Sequence, residues 1–263
     1  MELSAANHAF ITGGASGIGL ATADALIRRG VRVTIADINA DSLAEALASR
    51  GNLLRGVLLD VRDRDQWQAA KAKAEEVFGS VDLLINNAGI APDGKELADS
   101  LPESFERIIA INFIGVYNGI ITFGSGIRAL GRGHIVNVAS MAGLSSERAT
   151  SGAYSASKYA VISLSETLRV EMAPHGIGVS VLCPGLVLTN LPENTARIGG
   201  ALRPGGKMPG GLDPAIAGEM AVRGIERDSF YILTDFSRTD PIERRFAEQL
   251  AAFAAGPDAD LIG

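Results

Sequence analysis

The sequence predicts an α/β fold in which a doubly wound parallel sheet of about seven strands carries helices on both faces. Short apolar runs rich in β-branched residues alternate with amphipathic stretches along most of the 263 residues. A glycine-rich turn joins the first strand to the first helix, and polar residues recur where later strands end. We therefore expect a single domain over residues 1–263, with ligands at the carboxyl ends of the strands.

The composition narrows the classes of function. Hydrophobic residues make up 47% of the chain, charged residues 21%, and the formal net charge is −6, which disfavours a broad surface for nucleic acids. Cys183 is the only cysteine, so we expect no internal disulfide and, with three histidines, no metal cluster. We see no secretory signal and no apolar run near the ~20 residues that span a bilayer. These features predict a cytoplasmic protein without a membrane partner.

The glycine-rich turn over residues 12–19 is the first predicted binding element. A strand at 8–11 enters it and a helix at 20–29 leaves it, which is where free backbone N–H groups and a helix dipole hold phosphate. Glycines there permit a tight turn, close approach of a pyrophosphate and close helix packing. A glycine cluster alone is also typical of an ordinary turn. The candidate cofactor residues are Gly13, Ser16, Gly17, Ile18 and Gly19.

The second predicted strand, residues 31–36, ends at Asp37. In a nucleotide-binding unit that carboxylate accepts hydrogen bonds from the adenosine ribose and repels a 2′-phosphate. Neither Ser16 nor the residues that follow Asp37 are basic, so the sequence favours NAD over NADP. The alternative is that Asp37 only caps the helix predicted over residues 41–50.

The third predicted strand, residues 53–59, ends at Asp60 and Val61. Asp60 is a candidate partner for an adenine amino group, although aspartates at strand ends are often turn residues. A helix over residues 65–78 follows, and Gly79 ends it. Its predicted apolar side consists of Trp67, Ala70, Ala74 and Val77.

The fourth predicted strand, residues 81–85, runs into small residues and amides that leave room for a cofactor. The candidates there are Asn87, Ala88 and Gly89. Residues 105–123 are apolar around more than one helix face, which indicates burial on several sides and a subunit interface. Asn112 lies in the middle of that helix and needs a partner, so it is either a structural hydrogen-bonder or part of a proton path.

The fifth predicted strand, residues 134–139, is followed by Ser140, and a helix over residues 153–173 opens with Tyr154 and Lys158. Residues four apart share a helix face. A neighbouring ammonium stabilises a phenolate and lowers its pKa from ~10, so Tyr154 is a candidate to exchange a proton with a substrate oxygen that Ser140 orients. The alternative is a half-exposed tyrosine beside a solvated lysine.

The sixth predicted strand, residues 177–182, leaves through Pro184 and Gly185, which turn the chain so that Val187 and Thr189 can meet a nicotinamide carboxamide. Residues 190–212 hold six glycines and three prolines, a composition that predicts a mobile substrate lid. Arg197, Arg203 and Lys207 in it either meet an anionic substrate tail or are solvated. The chain closes with a helix, a seventh strand and a last helix, predicted over residues 213–227, 230–234 and 241–253.

Taken in this order, these residues resemble the short-chain dehydrogenase/reductase family over about Ala9 to Asn190. The resemblance implies a Rossmann-like fold and a homodimer or homotetramer that pairs through the helices predicted at 105–123 and 153–173. It also implies an NAD-dependent oxidoreductase that interconverts a secondary alcohol and its ketone. An NADP-linked ketone reductase and a non-catalytic dinucleotide-binding regulatory protein are the alternatives.

The same resemblance assigns roles to four residues. It implies that Tyr154 is the acid/base, that Lys158 also holds the nicotinamide ribose, that Ser140 orients the carbonyl or alcohol, and that Asn112 secures a water in the proton relay. The C-terminal third departs from much of the family and looks more like bacterial members acting on bulky or aryl alcohols. An apolar substrate is expected, because the residues predicted to line its pocket are Met141, Leu144, Leu186 and Leu191.

Overall fold

A computed structural model of the chain describes residues 6–146, 148–200, 210–237 and 239–256. In chain order the strands are β1 His8–Thr12, β2 Arg32–Asp37, β3 Leu54–Leu58, β4 Leu83–Asn86, β5 Gly133–Val138, β6 Ile177–Cys183 and β7 Tyr231–Leu233. The helices are α1 Gly17–Ile27, α2 Ala40–Leu47, α3 Arg64–Phe78, α4 Pro102–Ile109, α5 Gly115–Leu130, α6 Gly152–Met172, α7 Leu191–Arg197, α8 Pro214–Glu226 and α9 Asp240–Ala255.

The strands form one sheet in the order β3-β2-β1-β4-β5-β6-β7, and neighbouring strands pair in parallel throughout. This confirms the predicted doubly wound fold. Between β1 and β4 the winding changes direction, because β2 and β3 lie on one side of β1 and the later strands lie on the other. In such sheets ligands bind at that switch point, outside the carboxyl ends of the strands.

A separate apolar core covers each face of the sheet. Leu26 and Val222, from α1 and α8, belong to one core, and Trp67 and Phe123, from α3 and α5, belong to the other. The prediction that Val77 lies on the buried side of α3 is wrong, because its side chain is 51% exposed and the last helical residue, Phe78, is buried instead. At the end of α3 the side that faces the core is therefore the side of Phe78, and not the side that the spacing of apolar residues predicted.

Two predicted helices differ in extent from those in the structure. The helix predicted from residue 20 begins at Gly17, because the carbonyl of Ser16 already accepts the N–H of Leu20. The helix predicted over 105–123 is longer: α4 and α5 are joined by a π-helical turn, Ala110–Ile114. The resulting 29-residue stretch is long and apolar enough to cross a membrane by length and composition, so the prediction that no run approaches that length is wrong. Its most apolar window is 56% buried inside the protein.

The segment predicted as a lid, residues 190–212, contains α7. Residues 201–209, and with them Arg203 and Lys207, lie outside the described residues. The two ends of the segment meet, because Leu188 N–H donates to the Leu212 carbonyl at 2.9 Å and Leu212 N–H donates to the Leu186 carbonyl at 2.8 Å. The chain therefore leaves the carboxyl edge of the sheet and returns to it at one place.

Candidate active site

The glycine turn lies at the switch point. Gly13 and Gly17 have φ of +61° and +54°, a region that favours glycine. A Cβ on Gly19 would collide with the carbonyl oxygen of Gly13. Ser16 is the N-cap of α1, but its side chain makes no capping hydrogen bond and the first helical turn carries no acidic residue. This geometry suits an anion, because first-turn N–H groups lack intrahelical partners and lie at the positive end of the helix dipole.

Asn87 and Ala88 brace this turn from the end of β4. The Thr12 hydroxyl accepts the N–H groups of both residues at 3.0 Å. The side-chain amide of Asn87 donates to the carbonyls of Thr12 at 2.9 Å and Gly13 at 3.0 Å. The amide group predicted beside the cofactor is therefore what joins β1 to β4 at the turn.

The Asp37 carboxylate lies next to the same turn. One oxygen accepts the N–H of Ala15 at 3.2 Å and the other accepts the N–H of Asn39 at 3.1 Å. Asn39, not Asp37, is the N-cap of α2 and accepts the N–H of Ser42 at 3.0 Å. The alternative that Asp37 caps this helix is wrong.

Asp60 and Val61 follow β3, and both already have partners in the protein. The Arg62 guanidinium and backbone N–H donate to the Asp60 carboxylate, and this holds the pKa of Asp60 below its ordinary value. The Val61 carbonyl accepts the indole N–H of Trp67 and the amide of Asn118, both at 2.9 Å. Both residues thus stabilise the edge of the cleft on the β3 side.

Asn112 sits in the π-helical turn and is fully buried. Its side-chain oxygen accepts the N–H of Ile90 at 2.8 Å, and its amide donates to the Ile90 carbonyl at 3.1 Å and to the Ser157 hydroxyl at 3.3 Å. Single π turns inside α-helices are frequent at functional sites because they redirect a side chain. Here the turn directs Asn112 at the end of β4 and at α6.

Lys158 approaches the same place from α6. Its ammonium donates to the Val138 carbonyl at 2.9 Å and its side chain is buried. A Cβ on Gly89 would lie 3.3 Å from the Asn112 side-chain oxygen and 3.5 Å from Lys158 Nζ, so Gly89 is where these side chains converge. Burial lowers the pKa of Lys158 to about 8, although the neighbouring Cys183 opposes the shift.

Tyr154 lies one helical turn before Lys158, and its phenol is close enough to the Ser140 hydroxyl to feel its influence on the pKa. Ser140 follows β5, where its hydroxyl accepts the N–H of Ala142 at 3.1 Å and donates to the Pro184 carbonyl at 3.4 Å. Lys158 Nζ is 5.7 Å from the centre of the Tyr154 ring. The structure thus brings the three predicted residues together.

The predicted direction of the Tyr154 pKa is wrong for this arrangement. Burial raises the pKa of Tyr154, and the neighbouring Ser140 hydroxyl only partly opposes the shift. The ammonium of Lys158 is directed at the Val138 carbonyl rather than at the phenol oxygen. The phenol is therefore the stable form at neutral pH.

After β6, one of the predicted residues lies at the glycine turn, and the others contact later parts of the chain or are buried. Thr189 lies over the glycine turn, since a Cβ on Gly17 would come within 3.1 Å of the Thr189 methyl carbon. Val187 pairs with Leu212 in an isolated parallel bridge. The N–H of Gly185 donates to the Thr234 hydroxyl at 3.0 Å, and Pro184 is buried. Of these four residues, Thr189 is the one that lies against the glycine turn in the contacts described.

Comparison with known proteins agrees with this geometry. The model of the short chain dehydrogenase family matches residues 7–197. The chain belongs to the short-chain dehydrogenase/reductase family. A short-chain dehydrogenase/reductase from Burkholderia phymatum, solved in complex with NAD, superposes on this structure with a TM-score of 0.87 at 30% sequence identity. The superposition covers 96% of this chain and 97% of the Burkholderia chain.

Two relatives of this short-chain dehydrogenase/reductase have named activities. The C alpha-dehydrogenase of Sphingobium sp. (strain NBRC 103272 / SYK-6) is 33% identical over 256 residues, 90% of this chain and 83% of the relative. The sorbitol dehydrogenase of Cereibacter sphaeroides is 39% identical over 180 residues, 68% of this chain and 70% of the relative.

Sequence reasoning missed several groups that organise the site of this short-chain dehydrogenase/reductase. Ser157 accepts from Asn112 and donates to the Tyr154 carbonyl at 2.6 Å. Its spacing of three from Tyr154 is a local signal that could have indicated this. Thr195 on α7 is buried and accepts the N–H of Ala91 at 2.9 Å. A threonine in a glycine-rich segment gives no such signal, because its partner lies 104 residues away.

Proposed function

We propose that the chain is an NAD-dependent oxidoreductase that interconverts apolar secondary alcohols and their ketones. One observation carries the proposal. The neighbouring Ser140 and Tyr154 lie with the buried Lys158 at the carboxyl edge of a sheet whose switch point holds an open helix N-terminus. Such an edge is where a nicotinamide dinucleotide binds in doubly wound sheets.

The residues at the switch point fit that cofactor. The first-turn N–H groups of α1 and the bare glycines would hold the pyrophosphate, and the Asp37 carboxylate beside Ala15 would accept the ribose hydroxyls. NAD is proposed over NADP because a carboxylate repels a 2′-phosphate and no basic residue adjoins Asp37 in sequence. The relative from Burkholderia phymatum, which binds NAD, supports the same choice.

In this mechanism Tyr154 and Ser140 act on the substrate oxygen. When bound, the nicotinamide ring accepts or donates the hydride. The phenol of Tyr154 donates its proton to the ketone oxygen during reduction, and the Ser140 hydroxyl hydrogen-bonds the same oxygen. The raised pKa of Tyr154 suits that direction. During alcohol oxidation the phenolate takes the hydroxyl proton, so the rate of oxidation should increase with pH.

Lys158 and Asn112 support that pair. We propose that Lys158, held between the Val138 carbonyl and Gly89, binds the nicotinamide ribose. The Asn112 side chain already bonds to Ile90 and Ser157, so it positions the end of β4 against α6. Its part in holding a relay water stays a prediction.

The proposed substrate is apolar because of the residues around Ser140 and the start of α7. Met141, Leu144 and Leu191 are half-buried there and Leu186 is 42% exposed, an apolar lining for the substrate end of the cleft. A polyol is the second candidate, and the sorbitol dehydrogenase relative favours it. A homodimer or homotetramer is also proposed, since α5 exposes Tyr117 and Ile121.

A panel of alcohols assayed with NAD and NADP tests the proposal. We expect 1-phenylethanol and cyclohexanol to give a kcat/KM at least about tenfold above that of sorbitol, since a hydroxyl-rich substrate would leave polar groups unpaired in an apolar site. NADH formation is followed by absorbance. A preference for sorbitol would select the second candidate, and tighter binding of NADPH than NADH would overturn the assignment of Asp37. Binding of NADH without turnover of any alcohol or ketone would favour a regulatory protein.

A further inference from the structure

Helix α7 spans the cleft through two adjacent residues whose side chains bond to opposite sides. The side-chain amide of Asn194 donates to the Ser16 hydroxyl oxygen at 3.2 Å, which ties α7 to the glycine turn. Thr195 accepts the N–H of Ala91 at 2.9 Å and donates to the Leu191 carbonyl at 2.6 Å, which ties α7 to the chain after β4. The segment proposed to cover the substrate therefore touches the proposed phosphate site directly.

Ser16 has an unusual position at that site. It is the N-cap of α1, yet its hydroxyl accepts from Asn194 rather than from the first-turn N–H groups. A serine hydroxyl has one proton and two lone pairs. With one lone pair facing the Asn194 amide, the proton points elsewhere and the N–H groups of the turn stay available to a ligand. The Asn194 amide thus limits the directions in which Ser16 can donate.

We propose that Asn194 is a positioning residue for the dinucleotide, acting through Ser16. By donating to the Ser16 oxygen, Asn194 directs the Ser16 proton toward the pyrophosphate, so that docking of α7 and binding of the cofactor reinforce each other. The coupling is reciprocal: a bound dinucleotide strengthens the docking of α7 as much as docked α7 strengthens dinucleotide binding. This inference rests on the proposed function, because it requires a pyrophosphate at the turn.

The neighbouring Thr195 does not share this role. Its hydroxyl is buried and has both a donor and an acceptor within the protein, so it is an anchor for α7 on the β4 side. Loss of the Thr195 anchor should loosen α7 as a whole, so it can affect the dinucleotide only indirectly, by weakening the contact between Asn194 and Ser16. Asn194 itself is the residue of the pair that contacts Ser16.

The experiment compares NADH with adenosine, which lacks the pyrophosphate. We expect Asn194→Ala to raise the Kd of NADH, followed by its fluorescence, by about threefold to tenfold, the range of one net hydrogen bond. Asn194→Asp should raise it further, because a carboxylate accepts the Ser16 proton and adds negative charge beside the pyrophosphate. The Kd of adenosine, measured by calorimetry, should stay unchanged in both variants and so exclude a general loss of structure.

A double-mutant cycle decides whether Asn194 acts through Ser16. In a Ser16→Ala background, Asn194→Ala should cause no further loss of NADH affinity. The exposed neighbour Glu193 supplies the control, since Glu193→Ala should leave the Kd of NADH within about twofold. Additive losses, or an Asn194→Asp variant that binds NADH like the parent protein, would overturn the inference. Failure of the parent protein to bind NADH would instead overturn the proposed function.

Discussion

Polar side chains are buried at both ends of the parallel sheet, but the two groups differ in their hydrogen-bond partners and in their ability to exchange protons. At the amino end, the His134 ring lies 2.7 Å from the Ser180 hydroxyl, and Ser180 donates to the Ser229 carbonyl at 2.6 Å. At the carboxyl end, Tyr154 and Ser140 lie next to each other beside the buried Lys158. Both groups contain residue types that catalyse reactions, so residue type alone does not distinguish them.

The two ends differ in where their protons lie and whether those protons can be exchanged. Because Ser180 gives its proton to Ser229, His134 must donate from Nε2, and its Nδ1 then carries a lone pair. That Nδ1 has no hydrogen-bond partner among the described residues, and the Asp228 carboxylate is 3.7 Å away. Burial lowers the pKa of His134 to about 3, so the ring is neutral at physiological pH. The Ser180, His134 and Asp228 grouping therefore has no mobile proton and is structural.

At the carboxyl end the same burial leaves groups that can still exchange protons. The pKa of Lys158 falls only to about 8, and Tyr154 is half-buried rather than enclosed. A functional site is thus marked by a proton that can leave toward the cleft, and burial of polar atoms by itself marks only structure.

The largest expected effect comes from Tyr154→Phe, which removes the hydroxyl of the proposed acid/base and keeps the ring. We expect kcat for the best alcohol of the panel to fall by about 10²- to 10⁴-fold, with the Kd of NADH unchanged. Tyr159→Phe is the matched control on the same helix, because the buried Tyr159 hydroxyl has no hydrogen-bond partner among the described residues. Turnover that survives Tyr154→Phe, or falls equally in Tyr159→Phe, would contradict the assignment.

The sequence predicted those features of the site that depend on local spacing. The glycine turn, Asp37 at the end of β2, and Tyr154 with Lys158 on one helix face all follow from periods of a strand or a helix. Their order along the chain then predicted the sheet and its ligand edge. In each case the residues close in sequence were sufficient to predict the feature.

The features that sequence reasoning missed depend on distant parts of the chain. The rise in the pKa of Tyr154 comes from burial, and the direction of the Lys158 ammonium comes from a carbonyl 20 residues away. The exposed Val77 and the buried Phe78 reflect how α3 meets the core. Asn194 and Thr195 gain their importance from Ser16 and Ala91, which lie 178 and 104 residues away.

The second prediction concerns the stability of the folded protein and its dependence on pH. Lys158 has a lowered pKa in the folded state, about 8 against an ordinary 10.5. Below pH 8 the folded state holds a buried charge, which costs on the order of 3 kcal/mol. Between pH 8 and 10.5 the unfolded state binds more protons, so the free energy of unfolding rises with pH there and the cost disappears above 10.5.

Lys158→Met removes this titration, and urea unfolding at pH 7 and pH 10 measures it. Relative to the parent protein, the variant should have a free energy of unfolding that is higher by a larger margin at pH 7 than at pH 10, while alcohol oxidation is lost. The difference between the two proteins cancels the titration of all other groups. A margin that does not change with pH would mean that Lys158 is not the buried cation described here.

The smallest expected effect is at the amino end, where the same chemical change should alter stability and not catalysis. Ser180→Ala leaves the Nε2–H of His134 and the Ser229 carbonyl without a partner, which should lower the free energy of unfolding by about 1–3 kcal/mol. Its kcat/KM should match that of the parent protein below the unfolding transition. Ser140→Ala is the matched change at the carboxyl end, and it should show a large loss of kcat with a smaller loss of stability than Ser180→Ala, because Ser140 is half-buried and water can reach the groups that it bonds. If Ser180→Ala reduced turnover as strongly as Ser140→Ala, the amino-end group would be coupled to the reaction and the division between the two ends would fail.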